Sequence, residues 1–164
     1  MIRCLLLLIA VVLSSCGTTY YVVRHAEKEA TAAMSMTTDV PLSAAGRQRA
    51  EALKAELRTK KIQHIYSTNT IRTMATARPL SEAIAVPVQQ YAQPDSALIA
   101  QLKNTGSTAI LIVGHSNTVD DIVNAISGRI LLHDLPDSEY GRLYVIKRKG
   151  DKTSYKVRHF GALP

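Results

Sequence analysis

The chain has 164 residues, and its 46% hydrophobic content is enough for one domain that buries roughly two-thirds of its unfolded surface. Twenty Lys and Arg against 13 Asp and Glu leave a formal charge of +7, which favours anionic ligands, whereas the 5% aromatics, not interleaved with basic residues, argue against a nucleic-acid platform. The two cysteines, Cys4 and Cys16, leave nothing for a disulfide framework or a thiolate metal site.

Arg3 followed by the apolar run 5–13 is a charged start and a hydrophobic core too short to span a bilayer, the pattern of an export signal. It ends in Leu13-Ser14-Ser15-Cys16, which resembles the cleavage box of bacterial lipoproteins, where the cysteine thiol takes a diacylglycerol and becomes the new N-terminus. The expected organisation is a signal peptide at 1–15, lipidated Cys16 with a short tether at 16–19, and one domain at 20–164. The membrane would be a partner through the lipid on Cys16, and the location the bacterial cell envelope, periplasmic or outer surface. A tether this short, a reach of about 7 Å from Cys16 to the first strand, would seat the domain close on the bilayer.

A first strand is predicted over 19–24, followed by a polar loop over 28–42. Ser43 reads as a cap for an amphipathic helix over 44–57, in which Ala50, Leu53 and Leu57 recur at helical spacing. A short strand at 62–66 precedes a helix behind Thr70, which Pro79 should break or kink. A brief strand at 88–91 and Pro94-Asp95 lead into a helix marked by Leu98, Ile99 and Leu102. Residues 108–113, apolar and largely β-branched, predict a strand covered on both faces that runs into Gly114-His115. The next helix carries Val119, Ile122, Val123 and Ile126 on one stripe, with Asn117 and Thr118 as candidate caps and Gly128 as its stop. A hairpin of 143–148 and 154–160 around Gly150-Asp151 closes the chain.

Alternating strands and helices with a late hairpin predict a three-layer α/β/α sandwich, its sheet mostly parallel with a mixed edge. Two histidines then stand out, because His25 and His115 each follow an apolar strand, and ligands of such sheets collect outside the carboxyl ends of the strands. His64, His133 and His159 have no partner at ligand spacing, so neither metal nor cofactor is expected.

Four stretches carry a resemblance: Arg24-His25-Ala26, then Asp39 to Gly46 reading DVPLSAAG, then Ser67 to Thr73 reading STNTIRT with Thr76-Ala77, then Gly114-His115-Ser116-Asn117-Thr118. In this order they resemble the signatures of the histidine phosphatase superfamily, branch 1, which includes the phosphoglycerate mutases. The small size is that of a SixA-like member. Ala26 replaces the glycine of the family's Arg-His-Gly motif. The resemblance implies a phosphoglycerate mutase-like fold and a metal-independent phosphoric monoester hydrolase that works through a phosphohistidine on His25. Phosphoglycerate mutases place a glutamate some twenty-odd residues after the pocket arginine, and here that spacing falls near Asp95. Glu27, beside the histidine motif, is the other candidate for the acid.

The chemistry of a phosphate ester asks for the same residue types. Guanidinium forks such as Arg24 and Arg72 neutralise and orient phosphoryl oxygens, and their charge keeps His25 neutral and nucleophilic. His115 would donate to a phosphoryl oxygen, Asn117 could lend an amide, and Asp95 or Glu27 would protonate the leaving alkoxide. Arg72 at a helix start opposes the helix dipole, which itself suggests an anion nearby. The expected partner is a small phosphorylated substrate. The competing expectation is a non-catalytic lipoprotein that binds phosphorylated glycans or headgroups in the same pocket.

Overall fold

The structure, a computed structural model, describes residues 17–30, 39–136 and 138–162. The expected signal segment and Cys16 lie outside the described residues, as does most of the loop before Asp39. The elements are β1 (Thr18–Arg24), α1 (Ala44–Leu57), β2 (Ile62–Thr68), α2 (Ile71–Ile84), β3 (Val88–Tyr91), α3 (Ser96–Asn104), β4 (Ala109–Gly114), α4 (Ser116–Ser127), β5 (Arg142–Lys149) and β6 (Lys152–His159). They build one six-stranded sheet in the order β3-β2-β4-β1-β5-β6. The pairs β3-β2, β2-β4 and β4-β1 are parallel, and β5 and β6 add an antiparallel edge.

Strand alternation divides the core between the two faces. Tyr20, Val22, Ile110 and Ile112 face α3 and α4, meeting Leu102, Ile122 and Ile126. Val23, Leu111 and Val113 face α1 and α2, meeting Leu53, Leu57 and Leu80. The result is the three-layer α/β/α sandwich, with β1 and β4 buried on both sides as their apolar runs require. All the named elements and the three buried clusters among the described residues fall within residues 18–160, so the domain from Gly17 onward carries its own core. No helix among the described residues is long and apolar enough to cross a membrane.

Two local expectations are corrected. Of the two outcomes expected at Pro79, the break does not occur, and α2 runs through it to Ile84. The proline removes one backbone bond at a cost of about 3 kcal/mol. Ala77 and Leu80, both 0% exposed, flank it on the core side, and burying a leucine contributes about 2 kcal/mol, so packing carries the helix past the defect. At α4 the cap is His115 itself, whose backbone N–H donates to the Thr118 hydroxyl at 2.8 Å, and Asn117 lies inside the first turn. Ser43 caps α1 as expected, accepting from the Gly46 amide at 3.1 Å. Gly46 has no alternative there, since a Cβ would stand 2.1 Å from the Glu27 carbonyl oxygen.

Replacing Pro79 with alanine should restore the missing bond and raise unfolding stability by about 1–3 kcal/mol in urea titration. No gain would mean that α2 is shaped around the ring.

Candidate active site

Three neighbouring strands, β2, β4 and β1, end at the same edge of the sheet, and each delivers part of one polar pocket. The β1-β4 ladder pairs Arg24 with Gly114, and one residue further the His25 amide donates to the Gly114 carbonyl at 2.9 Å. The two imidazoles therefore leave adjacent strand ends, and their ring centroids lie 5.4 Å apart, edge to face. Gly114 keeps this corner tight: a Cβ would meet the Thr118 hydroxyl at 2.7 Å and the Tyr91 hydroxyl at 2.9 Å.

His25 is 4% exposed, and its Nδ1 lies 2.7 Å from the Ala26 carbonyl oxygen. A carbonyl only accepts, so this contact assigns the proton to Nδ1 and leaves the lone pair on Nε2. Burial first, then the charges of Arg24 and Arg72, hold the imidazole down at about 3 against the Ala26 bond that favours its cation. His115 is also pushed down, to about 4, by burial and by Arg72 and Arg24. Its Nε2 lies 3.0 Å from the Thr68 hydroxyl at the end of β2, and its Nδ1 lies 3.5 Å from Arg72 Nη2. The guanidinium only donates, so Nδ1 is the accepting nitrogen and Nε2 carries the proton toward Thr68.

The arginines are fixed from behind. Arg24 Nη1 donates to the carbonyls of Pro136 at 3.0 Å and Glu139 at 3.3 Å, and its guanidinium carbon lies 4.5 Å from the Tyr140 ring centroid. The same ring stands 6.1 Å from that of His25. Arg72, in the first turn of α2, reaches the Asp39 carboxylate at 3.3 Å, and that carboxylate also accepts from the Ile71 amide at 3.0 Å. The anion suggested by a cation at a helix start is thus supplied by Asp39. Arg72 Nε is buried with no hydrogen-bond partner among the described residues.

The two carboxylate candidates stand differently. Both oxygens of Glu27 are taken by Arg49, at 2.8 and 2.9 Å from Nε and 2.6 Å from Nη2. Burial pushes this carboxyl up, but the Arg49 bonds and charge more than offset it and hold Glu27 below the usual carboxylate range. Arg49 Nη1 also ties the carbonyls of Phe160 and Ala162, clamping the end of the domain to the loop after His25. Asp95 caps α3, accepting from the Leu98 amide at 2.9 Å, and is otherwise exposed in a cleft beside Tyr66 and Gln101. Its loop contributes Ala92 and Gln93 to a cavity of about 330 Å³ in front of His115, whose rim includes exposed Asn117.

Residues 20–93 match the family profile of the histidine phosphatase superfamily (branch 1). The chain resembles that superfamily over this stretch, which is less than half of its length. Solved structures share its fold: a protein named for the phosphohistidine phosphatase SixA from Agrobacterium tumefaciens is 24% identical with a TM-score of 0.66, covering 90% of this chain and 99% of that one. Bacillus stearothermophilus YhfR is 20% identical with a TM-score of 0.69, covering 85% and 96%. The protein histidine phosphatase SixA, solved with tungstate, is 15% identical with a TM-score of 0.64, covering 86% and 96%. No curated protein matches the chain significantly. The match supports a phosphatase as the enzyme class, and with it a small phosphorylated substrate.

Several residues that support the pocket carried no distinct signal in the sequence. Thr68 and Thr76 stood inside quoted motifs without a role. Thr76 accepts from the Ala26 amide at 3.0 Å while donating to the Arg72 carbonyl at 2.8 Å, tying the two halves of the pocket together. Arg49 and Tyr140 carried no signal, one resembling any basic residue of an amphipathic helix, the other sitting in an unpatterned loop. Ser67, at the start of the same stretch as Thr68, is fully buried and donates to the Thr68 carbonyl at 3.0 Å.

NMR titration of the imidazoles should find His25 and His115 still neutral at pH 5, with His25→Ala and His115→Ala assigning the signals. Unfolded, both would protonate near 6.5. The folded rings do so only near 3 and 4, so the unfolded state binds more protons between and stability should fall as pH drops through that window. A flat stability profile from pH 6.5 to 4 would contradict the buried neutral pair.

Proposed function

We propose that this chain is a metal-independent phosphomonoester hydrolase that works through a phosphohistidine on His25, exported and held at the membrane by a lipid on Cys16. The observation that carries the catalytic part is the His25 ring itself. Its Nδ1 proton is committed to the Ala26 carbonyl, and burial with two guanidiniums keeps the Nε2 lone pair free at neutral pH. A buried histidine serving only the fold would have its second nitrogen bonded too.

In the first step Nε2 attacks phosphorus, the P–O ester bond breaks, and the leaving alkoxide takes a proton from a carboxylic acid. Arg24 and Arg72 hold the equatorial oxygens, whose charge they neutralise without a metal. His115, once a phosphate dianion lies beside it, gains reason to protonate and donate to an oxygen. In the second step water attacks the phosphohistidine, the carboxylate takes its proton, and inorganic phosphate leaves with His25 neutral again. Among related folds, the SixA structure with tungstate is consistent with an oxyanion site of this kind.

Asp95 is the better acid of the two candidates, because Glu27 is held ionised by Arg49, whereas Asp95 sits on the loop that borders the His115 cavity. Export to the envelope rests on the sequence of residues 1–16 and favours a soluble, extracytoplasmic phosphomonoester over cytoplasmic phosphoglycerate or signalling proteins.

Acid quench of the enzyme with a radiolabelled phosphomonoester should trap acid-labile phosphate on the wild type and none on His25→Ala, with turnover unaffected by chelator. Label surviving in His25→Ala would overturn the mechanism.

Asp95→Asn keeps a good helix cap while removing the proton. It should lower kcat at least tenfold on alkyl phosphates, and much less on p-nitrophenyl phosphate, whose leaving group needs no proton. Equal losses on both substrates would remove Asp95 from the acid role.

A further inference from the structure

The edge of the sheet opposite the pocket has a character of its own. It gathers the amino ends of β1, β2 and β4, the turn joining β5 to β6, and the carboxyl ends of the helices, because each helix runs back against its strand. Gly17, the first described residue, stands at this edge between two clefts. One, of about 400 Å³, is lined by Lys147, Arg148, Lys149 and Lys152 with Thr153 and Ser154. The other, of about 340 Å³, includes Lys61. Neither is lined by an Asp or Glu, and the nearest carboxylate in sequence is Asp151, in the hairpin turn between Lys149 and Lys152.

An exposed apolar side chain belongs to the same edge. Thr153 donates to the Ser127 carbonyl at 3.2 Å, which docks the end of α4 against the first cleft. Three residues on is Ile130, 77% exposed, preceded by exposed Arg129. Isolated exposed isoleucines are ordinary on a protein surface. It is joined through Ser127 to a rim on which Lys147, Lys149 and Lys152 are exposed, together with Ser154 and the single carboxylate Asp151. Long basic side chains around an apolar tip are the composition that settles at a bilayer interface, the cations at headgroup phosphates and the apolar group below them.

We propose that this edge is a docking platform for an anionic lipid surface, with Lys61, Lys147, Lys149, Lys152 and Arg129 against headgroup phosphates and Ile130 dipping between them. The proposal rests on the reading that Cys16 carries a lipid, and the position of Gly17 supports it. One residue separates Cys16 from β1, a reach of about 4 Å, so an anchor there could bring no other edge to the bilayer. The platform adds orientation, which a lipid on a short tether does not supply. The seven residues of β1 then carry His25 about 23 Å above the headgroups, opening the pocket to soluble phosphomonoesters.

The test uses the domain from Gly17 onward, which carries its own core, with vesicles of phosphatidylglycerol and phosphatidylcholine or of phosphatidylcholine alone. The domain should sediment with the anionic vesicles at low salt, and this should weaken as salt screens the headgroups. The triple variant Lys147→Glu, Lys149→Glu, Lys152→Glu should lose about a hundredfold in partitioning. The domain has no cysteine, so a polarity-sensitive fluorophore can be placed by Ile130→Cys or, near the pocket, by Ala92→Cys. The probe at 130 should brighten on anionic vesicles and the probe at 92 should not.

Equal partitioning to neutral vesicles, no loss in the triple variant, the reverse pattern of probes, or capture by duplex DNA in place of vesicles would each overturn the platform. Labelled palmitate incorporated into the full chain and lost in Cys16→Ser tests the anchor separately. A lipidated chain whose domain ignores anionic vesicles would sink the platform alone, and an unlipidated chain whose domain binds them would sink the anchor alone.

Discussion

Parallel pairing of β1 with β4 runs to the last rung, and the amide of His25 closes on the carbonyl of Gly114 just beyond it. Two residues ninety positions apart thereby become neighbours with their side chains directed off the same edge. Everything at the pocket is arranged around that pair: Thr68 arrives because β2 lies on the far side of β4, and Arg72 because α2 starts three residues after β2 ends. A one-residue slip of this register would turn one imidazole to the other face of the sheet and leave the arginines with nothing to serve.

The second constraint is electrostatic. Two guanidiniums beside two imidazoles in a largely buried corner cannot all be charged cheaply, and the imidazoles are the ones that yield. The carboxylates nearby are each given other work: Asp39 holds Arg72 and the start of α2, and Glu27 is locked to Arg49. The pocket keeps the positive field of two guanidiniums while both imidazoles stay neutral. At the opposite edge the cations around Gly17 are unbalanced in a different way, outward toward a surface, so the molecule is polarised along its strands.

Much of this was legible early. The apolar runs of β1 and β4, the spacing of Leu53 and Leu57, and Ser43 as a cap each express a local rule, and each element formed where that rule placed it. Pro79 was misjudged because its local penalty is real and only the burial of Ala77 and Leu80 outweighs it. The cap of α4 was misplaced for a similar reason. Asn117 is the better cap by type, but the strand end fixes where the helix can begin, and that position belongs to His115.

The sequence by itself determined the layered α/β architecture and the placement of His25 and His115 just past two strand ends, because periodicity and residue chemistry are local properties. Tertiary structure alone decided that Arg49 rather than solvent receives Glu27, that Tyr140 backs Arg24, and that the lysines of a distant hairpin surround Gly17. Those facts depend on partners brought together by sheet order and strand direction, and no spacing along the chain encodes them.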